Sequence, residues 1–151
     1  MFHLPEAAVS PANAQEISDI VKLANEYDFP ITVRSGGTSL ADGAIPVCGG
    51  LVLCMDRLNK IIELNEEGMY MTVEAGVRTV DLQNAAKKVG LMYAGDPSSA
   101  ESCLIGGNLA TNAGGLRAVR YGVTRDQVYC LEIVTPTGDI VCLLYTSDAA
   151  D

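Results

Sequence analysis

Two glycine-rich segments hold the residue types in this chain that could do chemistry. Residues 34–39 read Arg-Ser-Gly-Gly-Thr-Ser, and residues 105–115 contain two further pairs of adjacent glycines. Glycine permits positive φ angles and lets a ligand approach the backbone without a Cβ in the way. Successive N–H groups of such a loop can point at one anion, and Ser and Thr hydroxyls add further donors. The pattern predicts a phosphate cradle, although a tight turn between packed elements would use the same residues.

Neither segment matches a standard nucleotide-binding fingerprint. The Walker loop requires G-x-x-x-x-G-K-[ST], and no Lys directly follows either glycine cluster. The dinucleotide fingerprint G-x-G-x-x-G is absent as well, because Gly36 and Gly37 are adjacent and the next glycine is Gly43. These exclusions leave a phosphate cradle of another kind, built from two glycine segments with strands and a helix between them.

The chain offers few groups that could act as a general base or a metal ligand. Its one histidine is His3, close to the N-terminus, so hydrolysis by a Ser-His-Asp or Cys-His arrangement has no suitable base. The five cysteines contain no C-x-x-C pair, which argues against a zinc site or a disulfide framework. We therefore expect no metal, and we expect reduced thiols in a cytoplasmic protein.

Length and composition exclude several other classes of protein. The 151 residues are enough for one domain with its own core, and 48% of them are hydrophobic. The net charge of −9 leaves no basic stripe for a nucleic acid. No apolar run approaches the ~20 residues of a membrane-spanning helix, and the first nine residues lack the basic start of a secretory signal.

The elements that must position the two glycine segments alternate between helix and strand. Asn13 and Glu16 have the spacing of a helix start, apolar residues recur on one face up to Ala24, and Pro30 requires the helix to end before it. Thr79 is predicted to cap a helix that runs through Val89. The predicted strands are residues 31–34, 51–55, 61–64, 70–75 and 128–135, with a turn at 136–139 into residues 140–141. Residues 95–115 are predicted to be loop, and the class is α/β or α+β.

Several stretches of the sequence together resemble a known family. They are residues 30–40 (PITVRSGGTSL), 73–77 (VEAGV), 96–99 (DPSS), 105–108 (IGGN), 112–115 (NAGG), 121–124 (YGVT) and 131–134 (LEIV). Their order and spacing resemble the PCMH-type FAD-binding domain of the vanillyl-alcohol oxidase superfamily, in the branch that contains glycolate oxidase and D-lactate dehydrogenase. The resemblance covers residues 5–141 and implies a truncated fold of two α/β subdomains with FAD held between them.

The resemblance also assigns residues to the cofactor. The first loop would wrap the pyrophosphate of FAD through its N–H groups, with Arg34 bracing the loop, and the later segments would line the pyrophosphate, ribityl chain and isoalloxazine. The residues so assigned are Arg34, Ser35, Gly36, Gly37, Thr38, Ser39, Pro97, Ser98, Ser99, Gly106, Gly107, Asn112, Gly114 and Gly115. Some family members attach FAD through a histidine in the first loop. This sequence has Thr38 and Ser39 there, so we expect non-covalent FAD.

The activity that the resemblance implies is oxidation of a D-2-hydroxy acid, of glycolate or D-lactate type, to the 2-oxo acid. Hydride would pass to N5 of FAD, and the electrons would pass on to another acceptor, with a second protein among the possibilities. The catalytic residues are unknown from this sequence, because the family carries them in cap and C-terminal regions that nothing here matches. Two alternatives stay open: a non-catalytic FAD- or nucleotide-binding remnant, and a flavin oxidase of another branch that acts on alditols or aromatic alcohols.

Residues 142–151 depart from the family pattern. They resemble a peptide translated from a sequencing adapter, and the alternative is a natural strand followed by a polar terminus. We expect the FAD-binding domain to occupy residues 1–141, incomplete at its C-terminal side, with an unrelated tail at 142–151. The fragment alone is expected to be inactive.

Overall fold

The computed structural model describes residues 3–144. Its fold combines a small parallel sheet, two antiparallel hairpins and short helices, which confirms the predicted mixed class. The elements in chain order are β1 (Ala7–Val9), α1 (Ala14–Tyr27), β2 (Ile31–Arg34), β3 (Leu51–Cys54), β4 (Ile61–Asn65), β5 (Tyr70–Val73), α2 (Thr79–Lys88), α3 (Ile105–Thr111), α4 (Ala118–Tyr121), a 3-10 turn (Thr124–Gln127), β6 (Cys130–Val134) and β7 (Ile140–Leu144).

The parallel sheet has the order β1–β3–β2, so β3 lies in the middle. This position explains the unbroken apolar run of β3, because a central strand with both faces covered has no use for alternating polar residues. Val52 and Leu53 are buried, and Leu53 forms a core with Met55 and Leu58. The apolar face of α1 packs on this core through Ile17 and Ile20. Asn13 caps α1 as predicted, since its side chain accepts a hydrogen bond from the N–H of Glu16 at 2.9 Å.

A second core lies under the β4–β5 hairpin, α2 and α3. Its buried members are Val77, Leu82 and Ile105, and Tyr93 packs against them. The strand β5 alternates between exposed and half-buried residues, as its sequence predicts.

Residues 130–144 form the third unit, the antiparallel hairpin β6–β7. The predicted turn at 136–139 lies between the two strands and is tied to α1, since Asn25 donates from Nδ2 to the Pro136 carbonyl at 2.8 Å. The predicted boundary between residues 141 and 142 falls within β7, while residues 145–151 of the predicted tail lie outside the described part of the chain. The boundary stays a prediction.

Three sequence predictions about local structure are wrong or incomplete. Arg78, not Thr79, is the N-cap of α2, and Thr79 is the first helical residue, fully buried, with its hydroxyl accepting a hydrogen bond from Asn108 at 2.7 Å. Residues 105–111 are helical rather than loop. The short strand β1 was not predicted. Among residues 3–144, no helix is long and apolar enough to cross a membrane.

Candidate functional site

The first glycine loop leaves the parallel sheet at the carboxyl end of β2. Ligands of open α/β sheets commonly bind outside the carboxyl ends of the strands, so the loop lies where a ligand is expected. Gly37 has φ +66°, in the left-handed region that favours glycine. The guanidinium of Arg34 lies beside it, with Nη2 2.6 Å from the position that a Cβ on Gly37 would occupy. Arg34 therefore braces the turn from one side.

The backbone N–H groups of this loop are unused. Within residues 3–144, those of Gly36, Gly37, Thr38 and Ser39 donate to no protein acceptor. Gly37, Thr38 and Ser39 line the outer part of the turn, and the Ser39 hydroxyl turns back to accept from the N–H of Ala41 at 3.1 Å. Consecutive free donors on an accessible turn are what an anion-binding backbone requires.

Two contacts bring the first glycine loop against the second glycine segment. The Ser35 hydroxyl accepts a hydrogen bond from the N–H of Gly107 at 3.1 Å. Gly36 packs against the backbone before α3, since a Cβ on Gly36 would lie 2.6 Å from the Ser102 carbonyl oxygen and 3.1 Å from Cys103 Cα. The predicted meeting of the two segments is therefore present in the structure.

The N–H groups at the start of α3, unlike those of the first loop, are already occupied. Ile105 donates to the Val77 carbonyl and Gly106 to the Ala75 carbonyl, both at 2.8 Å, and Gly107 donates to the Leu104 carbonyl as well as to Ser35. Gly106 and Gly107 thus contribute by close packing. Their assignment to the cofactor stays a prediction, and the N–H of Gly107 already donates to the Ser35 hydroxyl.

A cleft of about 290 Å³ lies between two loops further along the chain, lined by Pro97, Ser98, Gly114, Gly115 and Leu116. Gly115 has φ +147°, and a Cβ there would overlap the Asp96 carbonyl, so only glycine allows this approach. Within the described residues, the N–H groups of Ser98, Gly114 and Gly115 also donate to no protein acceptor.

The turn at residues 97–103 connects the two clusters. Its Ser99 carbonyl accepts from the N–H groups of Ser102 and Cys103, both at 2.8 Å, and the Ser102–Cys103 backbone then touches Gly36. Asn112 ends α3 with φ 49°, and its side chain accepts from the N–H of Arg125 at 3.0 Å, while its assignment to the cofactor stays a prediction. Asn112 therefore fixes the following turn.

Comparison with known proteins identifies the family. Residues 5–143 match the family model described as an FAD binding domain. The chain belongs to the PCMH-type FAD-binding domains. This domain is 46% identical over 138 residues to glycolate oxidase subunit GlcD of Bacillus subtilis, covering 91% of the chain. It is 41% identical over 139 residues to D-lactate dehydrogenase of Anaerostipes hadrus, covering 92% of the chain. In both cases the FAD-binding domain spans only 29% of the relative's length.

Comparison of the fold with solved structures supports the same family membership. The domain superimposes on the crystal structure of a 6-hydroxy-D-nicotine oxidase from Arthrobacter nicotinovorans with a TM-score of 0.82 and 28% identity, covering 94% of this chain and 31% of that one. The family resemblance and FAD as the cofactor are thereby confirmed.

The residues of this FAD-binding domain fit a cofactor that carries a diphosphate. The first loop supplies four N–H groups that donate to no protein acceptor within residues 3–144, and the cleft beside Gly115 offers three more, those of Ser98, Gly114 and Gly115. The net charge of −9 opposes an anion, but at a Debye length of ~8 Å distributed charges are largely screened. Each hydrogen bond to a charged group contributes about 1.5–3 kcal/mol, so the local donors outweigh the distant charges.

Sequence reasoning missed the polar contacts that join the cleft walls. Asp96 forms an ion pair with Arg117 at 3.4 Å and accepts a hydrogen bond from Gln83 at 3.3 Å. Nothing in the spacing of these three residues marks them, since they come from three separate segments. The structure also half-buries Tyr93 near Cys103, and loss of hydration raises the pKa of the Tyr93 phenol above its ordinary value. Among residues 3–144, no group of three or more His, Cys, Asp or Glu side chains could hold a metal ion.

Proposed function

We propose that this chain is the FAD-binding portion of a flavin-dependent dehydrogenase that oxidises a D-2-hydroxy acid, of glycolate or D-lactate type, to the 2-oxo acid. One observation carries the proposal: the 46% and 41% identity to a glycolate oxidase subunit and a D-lactate dehydrogenase over nine tenths of the chain. Identity at this level over 91–92% of the chain supports a shared cofactor chemistry more strongly than the fold does, because one fold hosts many reactions.

The first loop binds the pyrophosphate of FAD in this proposal. The free N–H groups of residues 36–39 donate to its oxygens, while Ser35 holds the loop against α3 and Arg34 braces Gly37. The cleft between Pro97–Ser98 and Gly114–Leu116 takes a second part of the cofactor. Thr38 and Ser39 offer hydroxyls in place of a histidine nitrogen, so the cofactor is held without a covalent bond. When bound, FAD supplies N5 as the acceptor for the hydride of the substrate's α-carbon.

The rest of the parent enzyme supplies the substrate site in this proposal. The chain spans 29% of the length of the curated relatives above. We place the groups that bind the substrate carboxylate and remove its hydroxyl proton in the remainder, together with the contact to an electron acceptor. The five cysteines are free thiols in the structure, which supports a reducing, cytoplasmic location.

The likeness in fold to 6-hydroxy-D-nicotine oxidase supports a second candidate. That protein shares this architecture at only 28% identity, so the same domain also serves other flavin oxidases. An oxidase of another branch, acting on an alditol or an aromatic alcohol, is therefore the alternative.

The test uses the parent enzyme, purified with FAD and mixed without oxygen with one candidate substrate at a time. We expect D-lactate or glycolate to bleach the flavin absorbance, while L-lactate, the matched control for stereochemistry, leaves it unchanged. Bleaching by an alditol or aromatic alcohol alone would replace the proposal with the second candidate. An enzyme that holds FAD and is bleached by none of these compounds would contradict the proposal.

A further inference from the structure

Asp96 joins three separate segments next to the cleft. Its Oδ1 accepts a hydrogen bond from Gln83 of α2 at 3.3 Å, and its Oδ2 lies 3.4 Å from Nε of Arg117, just before α4. Gln83 also donates to the Gly95 carbonyl at 2.8 Å, so it holds both the side chain of Asp96 and the backbone of the residue before it. The carboxylate is therefore fixed to α2 and at the same time paired with the far wall of the cleft.

The Asp96–Arg117 ion pair spans the two walls of the cleft. One wall is Pro97–Ser98, directly after Asp96, and the other is Gly114–Leu116, directly before Arg117. Within residues 3–144, no hydrogen bond joins residues 95–98 to residues 114–117, so this ion pair is their polar link. Gly115 allows the backbones of the two walls to approach each other, and the Asp96–Arg117 ion pair links the walls at this distance.

The other ion pair of the described residues shows what a merely local contact looks like. Arg78 and Asp81 pair at 2.8 Å within the first turn of α2, three residues apart. A pair so close in sequence stabilises its own helix turn and cannot set the distance between two loops. Mutation of Asp81 removes the same charge and releases the same type of partner as mutation of Asp96, so the Arg78–Asp81 pair provides a matched control.

We propose that Asp96 is a positioning residue for the cofactor: through Gln83 and Arg117 it sets the spacing of the cleft walls that receive one part of FAD. The inference rests on the proposed placement of FAD in this cleft. Asp96 acts here without touching the cofactor. Its negative charge by itself would repel a diphosphate, and the guanidinium of Arg117 offsets that repulsion.

The sign of one substitution separates positioning from simple electrostatics. Asp96→Ala removes a negative charge and frees Arg117. If charge alone mattered, FAD would bind more tightly to this variant. If spacing matters, FAD binds more weakly, because the walls lose the link that holds them.

The experiment measures the Kd of FAD for the full 151-residue chain by titration of flavin fluorescence. We expect Asp96→Ala to raise the Kd about 3- to 10-fold, as for a half-exposed charged pair. Asp96→Glu, which keeps the carboxylate, recovers most of the affinity. Asp81→Ala, the control, leaves the Kd within about twofold. An Asp96→Ala chain with unchanged or lower Kd, or a Glu variant as weak as the Ala variant, would overturn the inference.

Arg117→Gln provides the second variant, because Arg117 is the more exposed partner and its loss leaves the core untouched. We expect a similar rise in Kd, with the double variant no weaker than the weaker single variant. A rise with Arg117→Gln together with a fall with Asp96→Ala would mean that Arg117 binds FAD directly, and the inference fails. A wild-type chain that binds no FAD overturns the placement of the cofactor and this inference together. The hydroxy-acid test on the parent enzyme measures reduction of the flavin by a substrate, whereas this experiment measures the affinity for FAD. A negative result in the hydroxy-acid test therefore leaves this inference standing.

Discussion

The same dipeptide does two different jobs in this domain. Gly36-Gly37 lies on a loop whose N–H groups find no acceptor within residues 3–144, and Gly37 adopts φ +66°. Gly106-Gly107 lies in the first turn of α3, where both N–H groups donate to protein oxygens. The first pair leaves its N–H groups free for a ligand, whereas the second pair uses its N–H groups to hold segments of the protein together. A pair of adjacent glycines therefore predicts close approach, and only the surrounding elements decide whether a ligand or the protein itself makes it.

The largest effect on stability is expected at Gly36, the glycine of the first pair that packs against the backbone before α3. Gly36→Ala would place a Cβ 2.6 Å from the Ser102 carbonyl oxygen and 3.1 Å from Cys103 Cα. These are backbone atoms that cannot rotate away, so we expect the free energy of unfolding to fall by about 1–3 kcal/mol. Urea denaturation followed by circular dichroism measures it. Gly43→Ala is the control, since a Cβ there meets nothing within 4 Å. Equal stability of the two variants would disprove the close packing of Gly36.

The next effect separates strain from ligand binding. Gly37→Ala forces a Cβ into the left-handed region, at a cost of about 1–2 kcal/mol. Gly90→Ala is a matched control, because Gly90 has φ +75° and open space around it. Both variants should lose similar stability, but only Gly37→Ala should weaken FAD binding, by about tenfold, since relaxing the strain moves the free N–H groups. Fluorescence titration and thermal unfolding are run side by side. Equal Kd values for the two variants would remove the first loop from the site.

A smaller effect concerns the contact between the two pairs. Ser35→Ala deletes the hydroxyl that accepts from the Gly107 N–H, which still keeps the Leu104 carbonyl at 3.0 Å. We therefore expect a loss of only about 0.5–1 kcal/mol, with faster hydrogen exchange at the Gly107 amide. Ser35→Thr keeps the hydroxyl and should restore slow exchange. Ser10→Ala removes an exposed hydroxyl bonded to Asp56 and serves as the control. Unchanged exchange in Ser35→Ala would show that the two pairs are not coupled through this bond.

The sequence predicted the elements around the first pair better than those around the second. Local signals mark α1 and β2: the Asn13 cap, the Pro30 stop and a β-branched run. The helix α3 carries no such signal, because two glycines in its first turn lower its intrinsic propensity. It forms because Ala75 and Val77, which follow β5, supply carbonyl acceptors for its first two N–H groups. Contacts between segments distant in sequence, such as Asp96 with Arg117, follow from the tertiary fold and from no local pattern.

The smallest effect tests the packed region alone, through pH. Tyr93 lies against Val77 and Ile105 under α3, and burial, followed by the charge of Cys103, raises the pKa of its phenol above the ordinary value of 10.0. The unfolded chain releases this proton near pH 10 while the folded chain keeps it, so the stabilising contribution is complete below about pH 10 and is lost as pH rises through the folded pKa. Tyr93→Phe keeps the ring and removes the proton. The unfolding free energy of Tyr93→Phe should fall less steeply than that of the wild type above about pH 10. Parallel curves would mean that Tyr93 is hydrated and that α3 does not rest on a dry core. Residues 34–39 of the first loop contain no tyrosine, so the part of the alkaline loss of stability that Tyr93→Phe removes belongs to the core under α3 and not to that loop.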